Sequence, residues 1–128
     1  MDGVRRIEAF LLAAGCDVPS ARQLALAAEE MLTNILREAW RGCEPGACVV
    51  CVEASAGSDV VHVRLRTEDD GMAFDPTKTS APDLEMPLDD RPLGGLGIFL
   101  IRSVTDSQIY RRIDGRNIFE VSKNCCRA

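Results

Sequence analysis

The stretch "RPLGGLGIFLIRSVTD", Arg91–Asp106, sets three glycines within four residues and then runs into an apolar pattern at helical spacing. Glycine inside a helix costs about 1 kcal/mol relative to alanine, so the cluster needs a reason. A plain loop is one. The other is a negatively charged group that must approach the backbone, where a helix start offers free amides and the positive end of its dipole. The stretch is not a Walker motif, because no G-x-x-x-x-G-K-[ST] lysine follows. Phosphate charge here would have to be met by the helix terminus, a magnesium ion and an arginine.

Upstream of this stretch, Gly71 to Leu93 is irregular and punctuated by Pro76, Pro82, Pro87 and Pro92. A loop of ~20 residues inside a compact domain is usually a lid or binding loop, so a lid is expected over about residues 75–93. Before it lie two strand-like runs, Ala47–Ala56 and Asp59–Thr67, joined by a tight turn at Gly57-Ser58. In the second run Val61, Val63 and Leu65 alternate with His62, Arg64 and Arg66, which predicts one covered face and one wet face. His62, the single histidine, falls on the wet face and reads as a solvated strand residue.

Downstream, Leu96 to Val104 is expected to be helical. "SQIYRRIDGRNIFEVSK" then reads as a hairpin turning at Asp114-Gly115. At the other end of the chain, Val4, Ile7, Leu11 and Ala14, with Phe10 beside them, fall at helical spacing. "GCDVPS" is a turn, and Ser20 with Gln23 forms a capping box for a helix over about Ala21–Trp40. Leu24, Ala28, Met31, Leu32 and Ile35 form its apolar stripe, and "RGCEPG" ends it. The order is helix, helix, strand, strand, lid, helix, strand, strand. That predicts an α+β two-layer sandwich, with an antiparallel or mixed sheet and helices on one face. No repeat or boundary divides it, so one domain is expected over residues 1–128, with residues 124–128 as a disordered tail.

The composition limits the function. The 128 residues carry a formal charge of −5 and a pI near 4.9, which argues against general binding to nucleic acid or anionic membrane. A small anionic ligand in a local site is still allowed. No apolar run approaches the ~20 residues of a membrane span. "VRRIEAFLLAAGC" has the look of a lipoprotein signal, but Glu8 interrupts its short apolar part, and a cytoplasmic location is expected. "CEPGACVVC" spaces Cys43, Cys48 and Cys51 as in some iron–sulfur proteins. On a strand, however, residues three apart point to opposite faces, so reduced thiols without metal are expected.

Two further motifs carry chemistry. In "EEMLTN", Glu30 and Asn34 are four apart and share one helix face with Ala27 and Glu38. A carboxylate and a carboxamide there have the types of a general base and a hard-metal ligand, and also of an ordinary solvated pair. "EDDGMAFDP" begins where the second strand ends. Asp69 before Gly71 could accept a hydrogen bond from an amine such as that of adenine, or could simply be part of a turn.

The combination of an E-x-x-x-N helix, a D-x-G turn after a strand, a proline-rich lid and a G-G-x-G helix start resembles the GHKL ATPase superfamily. Within it, "LAAEEMLTNIL", "DDGMAFDP", "RPLGGLGIFLIRSVTD" and "YRRIDGRNIFEVSK" are most similar to the anti-sigma factor serine/threonine kinases, over about Arg22 to Lys123. The resemblance implies the histidine-kinase-like (Bergerat) fold and a magnesium- and ATP-dependent protein kinase. Its substrate would be a STAS-type anti-anti-sigma protein, with a sigma factor or other regulator as a second partner and a homodimer as the common assembly. It makes Glu30 the catalytic base and Asn34 the magnesium ligand. It assigns Asp69 to adenine, with Gly71 and Ala73 in the same turn, and Gly94, Gly95, Leu96, Gly97 and Ile98 to the phosphates. Glu38 and Trp40 depart from a usual histidine and tyrosine, Ala73 replaces a second glycine, and Asn117 lies near a usual threonine. The alternatives are a nucleotide-gated binding module without phosphotransfer and a detached histidine-kinase catalytic domain.

Overall fold

The alternation in the second strand governs the architecture. In a computed structural model describing residues 2–78 and 95–128, strand β2 (Val60–Asp69) buries Val61, Val63, Leu65, Thr67 and Asp69 on one face. It lies between β1 (Cys48–Ala56) and β4 (Arg116–Cys126), and β3 (Ser107–Ile113) closes the order β1-β2-β4-β3, with every pairing antiparallel. The sheet is therefore antiparallel throughout. Asp114 and Gly115, at φ 51° and 75°, make the β3–β4 turn, as expected of an Asp-Gly hairpin.

Among the described residues three helices cover the buried face: α1 (Asp2–Ala13), α2 (Val18–Glu38) and α3 (Gly95–Val104). Leu24, Ala27, Ala28 and Met31 of α2 meet Val61, Val63 and Leu65 of β2, with Leu11 of α1, Ile101 of α3 and Phe119 and Val121 of β4 completing the core. The other sheet face is open, and carries His62, Arg64 and Glu53. This is the two-layer α+β sandwich that the element order predicts. Leu32 is only half-buried, and the polar Asn34 takes a buried place on α2 instead.

Of the boundaries that differ from the sequence reading, two matter most. The cap of α2 is Asp17, whose Oδ2 accepts from the Ser20 amide at 3.1 Å, so the helix starts at Val18. Aspartate caps as well as serine, and Pro19 fits the first turn, where its missing N–H costs nothing. The supposed disordered tail is also corrected. Cys125 and Cys126 pair with Val61 and Val60, and the Ala128 amide donates to Gly15 O at 2.8 Å. Cys125 continues the core-facing register of Asn117, Phe119 and Val121, a continuation masked in the sequence by Lys123. Burial, with Cys16 beside it, pushes its thiol up to about 12.

Cys48 and Cys51 both lie in β1, an odd number of residues apart and so on opposite faces, and Cys51 Sγ accepts from Arg66 on the open one. A short 3₁₀ turn, η1 (Pro76–Lys78), holds the start of the expected lid segment. The rest of that segment, residues 79–93, and Gly94 lie outside the described residues.

Candidate functional site

The bottom of the site is the C-terminal end of β2, where the core-facing register delivers a carboxylate in place of an apolar side chain. Asp69 is 4% exposed, and burying it demands hydrogen-bonding partners. Its Oδ1 accepts from the Gly71 amide and from Asn117 Nδ2, each at 2.9 Å. Its Oδ2 has no hydrogen bond among the described residues. Asp69 lines a cleft whose walls include Met31, Ile35, Phe74, Pro76 and Phe119, with Asn34 and Glu38 of α2 along one side. Apolar walls around one acceptor oxygen suit a flat heterocycle bearing an amine.

The α2 face supplies the second part. Asn34 is 5% exposed, and among the described residues its Oδ1 accepts one long bond, of 3.4 Å, from Arg37 Nη1. Glu38, one turn further on, lines the same cleft and pairs with Arg41. Glu30 does not line the cleft. Its carboxylate lies at the first turn of α3, where a Cβ on Gly97 would come within 2.4 Å of Glu30 Oε2. The glycine at 97 thus lets Glu30 sit directly against that helix start. An acid there is also favoured by the helix dipole. Gly95 is the first residue of α3, with Leu96 next. Ile98 is buried at 3% exposure, so its side chain belongs to the core and leaves only its backbone for a ligand.

Gly71 has a different reason for being glycine. A Cβ there would meet Ala39 O at 2.3 Å and Ala39 Cβ at 2.4 Å, because the turn after β2 packs onto the end of α2. The Met72 amide donates to the same Ala39 oxygen at 2.8 Å. Ala73 is exposed and needs no left-handed backbone, which accounts for a non-glycine residue there. Next to this turn, Asp70 Oδ1 accepts from Trp40 Nε1 at 2.9 Å and from the Ala47 amide at 3.0 Å. These bonds, the Trp40 one foremost, hold its carboxyl below the usual range. Trp40 therefore ties α2 to the turn.

The residue that sequence reasoning undervalued is Asn117. It is 5% exposed, and its Nδ2 donates to Asp69 Oδ1 at 2.9 Å and to Met72 O at 2.7 Å. Its Oδ1 accepts from Arg112 Nη1 at 2.9 Å, from Tyr110 OH at 2.5 Å and from the Phe74 amide at 3.4 Å. Arg112 also donates to Gly71 O at 2.9 Å. The available signal was a carboxamide in a core-facing register of a strand, which has to find partners. Arg102 of α3 holds η1 by donating to the Pro76 and Thr77 carbonyls, and this tie had no signature in the sequence.

A hard divalent cation fits this donor set. Among the described residues no group of three or more His, Cys, Asp and Glu side chains converges. Magnesium, however, typically takes one or two protein oxygens and completes its shell with phosphates and water. Asn34 Oδ1, buried and only weakly hydrogen-bonded, is such an oxygen.

This combination of a half-open α+β sandwich, a carboxylate-floored cleft and an acid at a glycine-rich helix start is that of a nucleotide-binding domain. The family described as the histidine kinase-like ATPase domain matches residues 3–123, and the chain belongs to it. It is thus a GHKL-superfamily domain. The serine/threonine-protein kinase BtrW of Bordetella bronchiseptica is 34% identical over 94 residues, covering 73% of this chain and 63% of BtrW. The chain thus spans less than two thirds of that relative's length. The histidine kinase domain of the Erythrobacter litoralis EL346 blue-light activated histidine kinase is similar in structure. It aligns at TM-score 0.52 and 21% identity, over 83% of this chain and 48% of its own, which shows a shared fold. The Acinetobacter baumannii histidine kinase AdeS aligns at TM-score 0.49 and 17% identity, over 82% of this chain and 47% of its own. Among the described residues no helix is long and apolar enough to cross a membrane.

Proposed function

We infer that the chain is a magnesium- and ATP-dependent protein serine/threonine kinase of the anti-sigma factor type. The observation that carries this reading is the placement of the Glu30 carboxylate against Gly97 in the first turn of α3. Adenine in the Asp69 cleft would send its phosphates towards that helix start. A base and a phosphate-binding terminus then share one position.

The chain's residues divide the work. Asp69 Oδ2 accepts from the adenine amine, and the Met31, Phe74 and Phe119 walls exclude water from the base. The α3 terminus, with Gly95, Leu96 and Gly97, offers its amides to phosphate oxygens, and likeness to the family adds Gly94 to that segment. Asn34 Oδ1 would hold magnesium, which offsets phosphate charge when bound. Glu30 takes the proton as a substrate hydroxyl forms its bond to the γ-phosphorus and the bond to the β-phosphate oxygen breaks, leaving ADP. The substrate favoured by likeness to the anti-sigma factor kinases, and by the kinase name of BtrW, is a STAS-type anti-anti-sigma protein. A sigma factor or other regulator would then be a client, with a homodimer as a further arrangement, acting in the cytoplasm.

The test is incubation with labelled ATP, magnesium and the STAS-type proteins of the same organism, followed by phosphosite mapping. Transfer to one serine or threonine is expected, falling ~100-fold or more in Glu30→Gln, the scale of a lost general base. ATP binding without transfer to any of them would leave a nucleotide-gated binding module. Transfer unchanged in Glu30→Gln would remove Glu30 from the mechanism.

A further inference from the structure

We propose that Asn117 is the residue that makes the cleft select a 6-amino purine over a 6-oxo purine, by fixing which oxygen of Asp69 faces the base. The proposal rests on the reading of the cleft as a nucleotide site, and it concerns the choice of base within that site.

A carboxamide has two N–H donors and one oxygen acceptor with two lone pairs. In Asn117 both donors are spent, on Asp69 Oδ1 and Met72 O. Three donors, from Arg112, Tyr110 and Phe74, crowd its oxygen. Its orientation is therefore fixed by chemistry. A flipped amide would turn its N–H groups towards the Arg112 guanidinium, which only donates, and its oxygen towards the Asp69 carboxylate, which only accepts. Saturated in this way, Asn117 has nothing left to offer a ligand. Its effect must pass through Asp69.

That effect is directional. Asn117 Nδ2 and the Gly71 amide together commit Asp69 Oδ1. Oδ2, without a partner among the described residues, is then what the buried carboxylate can offer a base. An adenine presents an amine donor to it, whereas a guanine presents its 6-oxygen, and two acceptors face each other. The Arg112 charge on the far side of the amide also polarises it and strengthens its N–H groups towards Asp69. Without Asn117 the carboxylate could turn about its last torsion, and Arg112 would be free to reach it. The cleft would lose its fixed acceptor and with it the preference for adenine. Asn117 is in this sense a positioning residue, and Tyr110 and Arg112 hold it in turn.

The experiment is calorimetric titration of the full chain with ATP, GTP and inorganic triphosphate, each with magnesium, for the wild type, Asn117→Ala, Asn117→Thr and Tyr110→Phe. In wild type, ATP should bind at least ~30-fold tighter than GTP, the scale of a charge-assisted bond made or refused. Asn117→Ala should lose most of that ratio by weakening ATP, with GTP and triphosphate changing less than about threefold. Asn117→Thr, whose hydroxyl can still donate to Asp69 Oδ1, should recover part of the ratio. A purely structural role would not show this pattern. Tyr110→Phe removes one donor from an otherwise intact network and should lower the ratio a few-fold, so the test stands even if Asn117→Ala does not fold. A retained ATP-to-GTP ratio in the folded variants, or equal losses for ATP and triphosphate, would overturn the proposal. Failure of the wild type to bind any of the three would overturn the nucleotide reading itself, a different and separately visible result.

Discussion

Replacing Gly71 by alanine should damage the protein through packing before any ligand arrives. The added Cβ would lie 2.3 Å from Ala39 O, 2.4 Å from Ala39 Cβ and 2.6 Å from Ala39 C. Two of those three atoms are backbone at the end of α2, so no rotamer change relieves the overlap. The turn must move away from the helix, stretching the Met72 N–Ala39 O bond of 2.8 Å and the Gly71 N–Asp69 Oδ1 bond of 2.9 Å. Overpacking of this kind costs about 1–3 kcal/mol, and a strained buried hydrogen bond adds about 1 kcal/mol. At roughly 3–5 °C per kcal/mol for a domain of this size, melting should fall by about 10 °C in the absence of nucleotide. Ala39→Gly in the same chain removes only the Cβ contact, so a double-mutant cycle should show partial rescue at best. Differential scanning calorimetry on the single and double variants measures this. Melting within 2 °C of wild type together with lost ATP binding would refute the packing argument, and would mean that the glycine serves the ligand.

Gly97→Ala should do the reverse: its Cβ meets the end of the flexible Glu30 side chain and alanine favours the helix, so melting should hold or rise. Displacing the proposed base by about 1 Å should still cut phosphotransfer by up to ~100-fold, and unchanged transfer would detach Glu30 from the α3 terminus. Asp69→Asn should weaken ATP by about 10- to 100-fold, the value of a charge-assisted hydrogen bond, while sparing inorganic triphosphate; equal losses in titration calorimetry would make Asp69 purely structural. Asp17→Ala removes the cap of α2 and should cost about 1 kcal/mol at neutral pH. The Ser20 hydrogen bond holds the Asp17 carboxyl below its ordinary value of 3.8. The cap's charged contribution is therefore fully present above that value and lost as pH falls through the lower folded one. Urea melts of wild type and variant should begin to converge as pH falls below 3.8 and meet only in stronger acid, and a gap that stays constant into acid would show that the cap does not depend on ionisation.

The fold was legible because its signals are local and periodic. Val61, Val63 and Leu65 announce β2 by alternation, Leu24, Ala28 and Met31 announce α2 by helical spacing, and Asp114-Gly115 announces its own turn. The errors fall where two local signals compete. Asp17 and Ser20 are both good caps three residues apart, and only the geometry of the first turn shows that Asp17 is used. Lys123 breaks the apolar alternation of β4, so the strand looked finished before Cys125, which is fully buried two residues later.

The candidate site was legible only in part, and the reason lies in how its residues are connected. Glu30, Asn34 and Glu38 share a face of one helix, so their spacing alone aligns them, with Asn34 and Glu38 on the cleft and Glu30 at the start of α3. Asn117 is linked to Asp69, 48 residues away, and to Met72, 45 residues away. Nothing in a spacing rule joins a strand, a turn and a neighbouring hairpin strand. The two glycines make the same point about cause. Gly71 and Gly97 stand in motifs that invite one explanation, room for a ligand. Yet one is required by the backbone of Ala39 and the other makes space for a carboxylate. A residue type records that space was needed. What needed the space is a property of the neighbours, and it decides whether a substitution costs stability or chemistry.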